Sequence, residues 1–421
     1  MIVGGGLAGL AAAAALGSAG FEVDLHEARP FLGGRATSFP LHPSEPGSVR
    51  IDNCQHVLLR CFTNLLDFYR RVGVDDKIHF HDKFYFVRPG GEIDVLQRDF
   101  LPTPLHLFRS LMTFRSLSRA DKWSIVRTMA AMRLAAGKPE LDQITIGDWL
   151  GARGATPRAL ERFWRPILVS ALNEELDRAA ARWGVQVFAE GMLATRTSYE
   201  MGVPSIPLAD LYSAALDGAL GETARVHLRS SIAEIDPAHP QADYYICAVP
   251  FDRVHRLLPG LELPLGAFEH SPITGIHLWY DRPITELPHA VLLDRTLQWL
   301  FRKSETCYQG VVSASRDLIG WSREKIIEMA ERELREFFPA AGAAKLTRAH
   351  VVKEVHATYS ARPGLEAFRP GATTRYPNVF LAGDWTNTGW PPTMEGAVRS
   401  GYLAAEQVTR QAGCPAKFLL R

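Results

Sequence analysis

Residues 1–21 carry no charged side chain, yet their pattern changes twice. Met1–Val3 is apolar, GGGLAGLAAAAALGSAG is built of small residues, and FEVDLHEA alternates apolar with polar positions. This predicts a strand, a glycine turn, an alanine-rich helix with Gly20 as its C-cap, and a second strand ending at Glu27. The first strand is short, at three residues against a usual five or six. The uncharged run is long enough to imitate a membrane span or a signal peptide. It has no basic leader, however, and Gly4, Gly5, Gly6 and Gly9 crowd into six positions, so both readings are rejected.

The middle of the chain is predicted helical. SRADKWSIVRTMAAMRLAAGK opens on Ser118 as a cap with Asp121 three residues on. Thr156-Pro157 starts another helix, expected to run toward LVSALNEELDRAAARWG. Strand patterns return in RVHLRSSIAEI, DYYICAVP and ITGIHLWY. A helix, SREKIIEMAERELREFF, precedes the strand-like HVVKEVHATYS. NVFLAGDW reads as a strand entering a Gly-Asp turn, and EGAVRSGYLAAEQVTRQAG closes the chain as a helix. No repeats occur. Dinucleotide-type elements therefore fall at the start, near 225–250 and at the end. The expected fold is α/β: a discontinuous Rossmann-like domain from 1–82, 203–255 and 370–421. An α+β domain from 83–202 and 256–369 is inserted, its helical part at about 100–190.

The length of 421 residues agrees with two domains. A net charge of +1 gives no global attraction to nucleic acid. Five cysteines (Cys54, Cys61, Cys247, Cys307, Cys414) form no CxxC pair, which points to a reducing cytoplasmic setting without disulfides or structural zinc. No other stretch approaches a membrane span, so any membrane contact is expected to be peripheral, on the inner face.

Gly4-x-Gly6-x-x-Gly9 fits a dinucleotide fingerprint. The first glycine permits the tight turn, the second lets backbone approach a pyrophosphate, and the third lets helix pack on strand. Glu27, 18 residues after Gly9, lies near the spacing of a ribose-binding acid. The competing reading is a small-residue packing helix. After Glu27 comes Ala28-Arg29-Pro30-Phe31-Leu32-Gly33-Gly34-Arg35-Ala36. Its glycines allow close backbone approach, and Arg35 offers five donors to phosphate or flavin oxygens; the alternative is a surface loop with a solvated arginine.

The second glycine pair with arginine resembles the GGR segment of the flavin amine oxidase and phytoene desaturase superfamily. Phe380-Leu381-Ala382-Gly383-Asp384-Trp385, with Pro391 to Ala397, resembles that superfamily's last FAD motif. The resemblance implies an FAD-binding domain of the GR2 type. It places cofactor contacts at Gly4, Gly6, Ala8, Gly9, Glu27, Ala28, Gly34, Arg35, Gln55, His56, Ile232, Gly383, Asp384, Met394, Glu395 and Ala397. The N-terminus of the last helix would face the flavin pyrimidine ring, and Ala248-Val249-Pro250 would end the strand covering the cofactor.

Ile51 to Leu59, IDNCQHVLL, crowds five polar or reactive side chains before an apolar run. Cys54 and His56 lack a CxxC or HxxxH partner, so a metal site is not expected, and residues i and i+2 rarely align a nucleophile with its base. Read as one strand, Asp52, Cys54 and His56 share a face and Asn53 and Gln55 the other. Cofactor or active-site lining and hydrogen-bonded structural polars both remain open. This wording resembles a narrower group, the squalene-associated FAD-dependent desaturases understood as hydroxysqualene dehydroxylases. That resemblance implies FAD, a hydrophobic isoprenoid substrate, a separate electron donor for the FAD, and reduction of hydroxysqualene to squalene with loss of water. His56 and Asp52 are the candidate acids. A carotenoid-type desaturase or isomerase and a non-enzymatic prenyl-lipid carrier are the alternatives.

Residues 106–138 hold seven Lys or Arg against one acid, Asp121, interleaved with apolar positions. The segment suits an anionic membrane surface, or an ordinary pair of surface helices. TGIHLWY, LQWLF and TGWPP suit a lipid tunnel or a plain core equally.

Overall fold

The computed structural model describes residues 1–42, 45, 48–213, 220 and 222–420. Ile2–Val3, Val23–Glu27, Ala224–Leu228, Tyr245–Cys247 and Val379–Leu381 form one parallel sheet. Numbered along the chain, its strands lie in the order 3-2-1-4-5. That order reverses between the first and fourth strands, which opens a crevice at their C-terminal ends.

The short first strand is held from both sides, Ile2 pairing with Leu25 and with Ile246. The helix Leu7–Ser18 is buried from Leu7 to Leu16, and Gly20 follows it at φ +83°. Its alanines admit a close neighbour, the last helix, Met394–Gln411. A Cβ on Gly401 would meet the Ala8 carbonyl at 2.2 Å. The uncharged opening is thus a strand and a helix packed among other elements.

A second sheet joins Leu346–Tyr359, His270–Tyr280, Cys307–Ser313, Trp299–Arg302, His289–Leu292, Lys83–Val87 and Ile93–Gln97, in that order. All its pairings are antiparallel except that of His289–Leu292 with Lys83–Val87. The helices Phe108–Thr113, Arg119–Ala135, Ile146–Gly151, Arg165–Leu172 and Ala181–Gln186 lie in the chain between Ile93–Gln97 and His270–Tyr280. Ser118 and Asp121 make the expected capping box, and Thr156 caps the helix at Pro157.

Two expectations are corrected. The helix from Pro157 does not continue through Asn173. It ends at Leu172, because Asn173 turns left-handed (φ 51°) and uses its side chain on the Ser271 carbonyl and the Thr358 hydroxyl. IDNCQHVLL is not one strand either. Arg50–Asp52 and Leu58–Leu59 belong to different small sheets. Between them Asn53 donates to the Arg35 carbonyl and to Glu354, which carries the chain across rather than along a sheet. The predicted two-faced alternation of residues 52–56 therefore does not apply.

Candidate functional site

The crevice opens into a cavity of about 670 Å³ between the two sheets. Gly4 makes the turn at φ +114°, a conformation costly for side chains; a Cβ there would meet the Ala248 carbonyl at 2.5 Å. A Cβ on Gly9 would lie 1.9 Å from the Gly4 carbonyl, so Gly9 sets the packing of helix on turn and does not line the cavity. Gly6 differs. A Cβ there would find nothing closer than Gly34 Cα at 3.8 Å, and the space beside it is cavity. Gly6 is also the N-cap of the helix Leu7–Ser18 and offers no side-chain cap, so the first-turn N–H groups are left for a ligand.

Glu27 accepts from Gly5 N at 2.7 Å and Arg29 N at 2.8 Å, bracing the glycine turn while lining the cavity. Arg35 donates to Asp384 at 2.7 Å and to the Ala357 carbonyl at 2.9 Å. One guanidinium thus ties the second glycine loop, the end of the large sheet and the C-terminal motif. Ala8, Ala28, Gly34, Gln55, His56, Ile232, Gly383, Met394 and Ala397 also line the cavity.

Glu395 does not. Its carboxylate turns to the other side of the last helix and accepts from Asn64 Nδ2 and Leu65 N, both at 2.8 Å. Burial raises its pKa in spite of these bonds. Asp52 is likewise absent from the wall. Its oxygens accept from Ser38 and Leu208 N and from Lys303 Nζ at 2.9 Å. Although burial opposes it, Lys303 with these bonds holds the Asp52 carboxyl below the usual carboxylate range. This carboxylate anchors neighbouring segments; it does not face the cavity as an acid.

His56 lies on the wall. Its Nδ1 donates to the Cys54 carbonyl at 2.9 Å, since a carbonyl only accepts, which leaves Nε2 as an acceptor. Burial lowers its pKa and favours the neutral ring.

Other wall residues carried no decisive sequence signal. Asn53 and Glu354 are paired with each other. Asp252, His270 and His356 bring one ligand atom each within 4.8 Å of one another at the wall, with the two imidazoles stacked at 4.0 Å. Phe84, Trp299 and Phe301 form an aromatic side, and Trp390 to Pro392 another. LQWLF and TGWPP thus reach the cavity, whereas Ile276 and Leu278 of TGIHLWY are core. Glu190, exposed, stands on the wall within electrostatic reach of Cys61 and Arg399. It has no hydrogen-bond partner among the described residues. A short helical stretch around it offered nothing that marked it in the sequence.

An uncapped helix N-terminus, an open approach at Gly6 and a paired arginine fit a dinucleotide pyrophosphate in chemistry and shape. Comparison with known proteins agrees. The model of the family described as flavin containing amine oxidoreductase matches residues 7–409. A probable zeta-carotene desaturase of Synechococcus elongatus is 27% identical, covering 96% of this chain and 97% of its own. A hydroxysqualene dehydroxylase of Sinorhizobium fredii is 29% identical, covering 96% and 97%. Among solved structures, a redesigned putrescine oxidase superposes with a TM-score of 0.74 at 17% identity, covering 97% and 98%.

Proposed function

The chain belongs to the family of flavin containing amine oxidoreductases, its cofactor is FAD, and from that premise we propose that it reduces an allylic C30 alcohol of the hydroxysqualene type to the hydrocarbon, releasing water. The glycine turn, Glu27, Arg35 and Asp384 would hold the dinucleotide. When bound and reduced, FAD supplies a hydride equivalent. The carbon–oxygen bond breaks with its electron pair on oxygen, a proton makes the leaving group water, and hydride closes the carbon.

The observation that carries this reading is a wall carboxylate, Glu190, that makes neither a hydrogen bond nor an ion pair among the described residues. Of the wall carboxylates, Glu27 braces backbone, Asp384 pairs with Arg35, Glu354 holds Asn53, and Asp252 lies 3.6 Å from Arg253. Glu190 remains, on the helical stretch Val187–Met192, whose Val187 and Met192 also line the cavity. An isoprenoid chain packed against it would displace water and raise its proton affinity, making it a donor to the departing oxygen. His56, neutral and with its proton committed to the Cys54 carbonyl, serves instead to shape the wall.

Zeta-carotene desaturase relatives of 24–27% identity favour a second reading, removal of hydrogen from a carotenoid chain. The test is an anaerobic assay of protein carrying reduced FAD with hydroxysqualene, beside oxidised protein with zeta-carotene. Squalene formed in the first arm supports dehydroxylation; product only in the second assigns the desaturase reading.

A further inference from the structure

The helix Arg119–Ala135 buries Asp121, Ser124, Ile125, Thr128, Met132 and Ala135. Such a face accounts for its packing and calls for no partner. The opposite stripe is the unusual one. Arg119, Trp123, Arg127, Ala130 and Leu134 recur at helical spacing, and all are exposed. Trp123 is 61% exposed and Leu134 80%. They stand 11 residues apart on one face, about 16 Å along the axis.

A loop extends the stripe. Phe100 is 73% exposed, with Arg109 over its ring at 5.2 Å, and Leu105 is 48% exposed. The Phe108 ring lies 6.2 Å from that of Trp123, which joins loop and helix. The three most exposed large apolar side chains among the described residues all belong to this face. Scattered exposed apolar residues are ordinary, but a contiguous set is not.

Charge decides what covers it. Arg109, Arg115, Arg119, Arg127, Arg133 and Lys138 are exposed on the same segment. Its one acid, Asp121, is buried and spent on the Ser118 capping box and the Thr156 hydroxyl. The segment therefore carries an excess of exposed cations, with Asp99 beside the Phe100 loop and Glu140 after Lys138 as the neighbouring acids. Aromatic rings flanked by long cations suit the boundary between lipid headgroups and acyl chains.

We propose that the face formed by Phe100, Leu105, Arg109, Trp123 and Leu134 docks on an anionic lipid bilayer, peripherally. No helix among the described residues is long and apolar enough to cross a membrane. The proposal stands independently of which substrate the cavity takes.

The test uses the full chain with FAD and co-sedimentation with vesicles. Phosphatidylcholine mixed with phosphatidylglycerol is compared with phosphatidylcholine alone, each at low and high salt. Binding is expected to the anionic vesicles, weakening with salt, and at least tenfold less to the neutral ones. Trp123→Glu with Leu134→Glu should abolish it. Arg109→Gln with Arg119→Gln should weaken it about 25-fold, at roughly fivefold per cation near the surface. Thermal unfolding and FAD content should stay at the parent values in both pairs. Absence of binding to anionic vesicles, or binding unchanged in both pairs, overturns the proposal. So does a concentration-dependent dimer that the same substitutions dissolve, which would give the face to a second copy.

Discussion

Arg35 and Asp384 lie 349 positions apart in the chain and meet at 2.7 Å. Through this pair the second glycine loop and the C-terminal motif close on one cavity, with Met394 on the same wall. Asp384 is nearly buried and Arg35 about one-third exposed, so the contact is only partly screened. Replacing Asp384 by Asn should weaken FAD binding by about 10- to 100-fold, the range for losing a charge-assisted hydrogen bond. Titration of apoprotein with FAD, followed by flavin fluorescence, measures it.

Two of the fingerprint glycines, Gly6 and Gly9, should part company on substitution. Gly6→Val meets open space, so the apoprotein should melt near the parent temperature yet purify colourless. Gly9→Ala drives a methyl into the Gly4 carbonyl and should lower the melting temperature before any cofactor is added. A yellow Gly6→Val protein would contradict the assignment of this turn to the pyrophosphate.

Glu190→Gln should cut turnover of the allylic alcohol by about 10²-fold or more, the usual scale for losing a general acid. FAD content should not change. Squalene formation at the parent rate would remove Glu190 from the mechanism and take from the dehydroxylase reading the observation that carries it.

Asp52 predicts a stability effect rather than a catalytic one. Its carboxylate is ionised more readily folded than unfolded, so its contribution is present above the ordinary Asp pKa and is lost as pH falls through the lower folded value. Asp52→Asn should cost about 1–3 kcal/mol at neutral pH, read by urea denaturation, and the loss should shrink below pH 4.

Two buried histidines set an acid limit at higher pH. Burial pushes His277 down to about 4 and His289 down to about 3. The unfolded chain takes up protons near pH 6.5 while the folded one refuses them. Stability should therefore fall as pH drops from about 6.5 toward these folded values. His289→Phe should flatten that slope, measured by denaturant melts from pH 7 to pH 4.

Much of this was legible in the residues. Gly4, Gly6 and Gly9 followed by an alanine-rich helix dictate a turn that only small residues can make, and its geometry needs no distant partner to be read. Ser118 with Asp121, and Thr156 before Pro157, announced helix starts for the same local reason. The segment 52–56 was legible as functional ground and illegible in detail. Its course is set by Arg35, 18 residues back, and Glu354, 301 residues on, to which Asn53 donates.

The sequence by itself determined the turns and caps, because steric exclusion and local hydrogen bonding act within a few residues. Only the tertiary structure decided which polar groups meet the cavity. It paired Asp52 with Lys303, turned Glu395 toward Asn64 and left Glu190 without a hydrogen-bond partner among the described residues. A carboxylate's role depends on its neighbours in space, and burial and pairing are fixed only when segments hundreds of residues apart pack together.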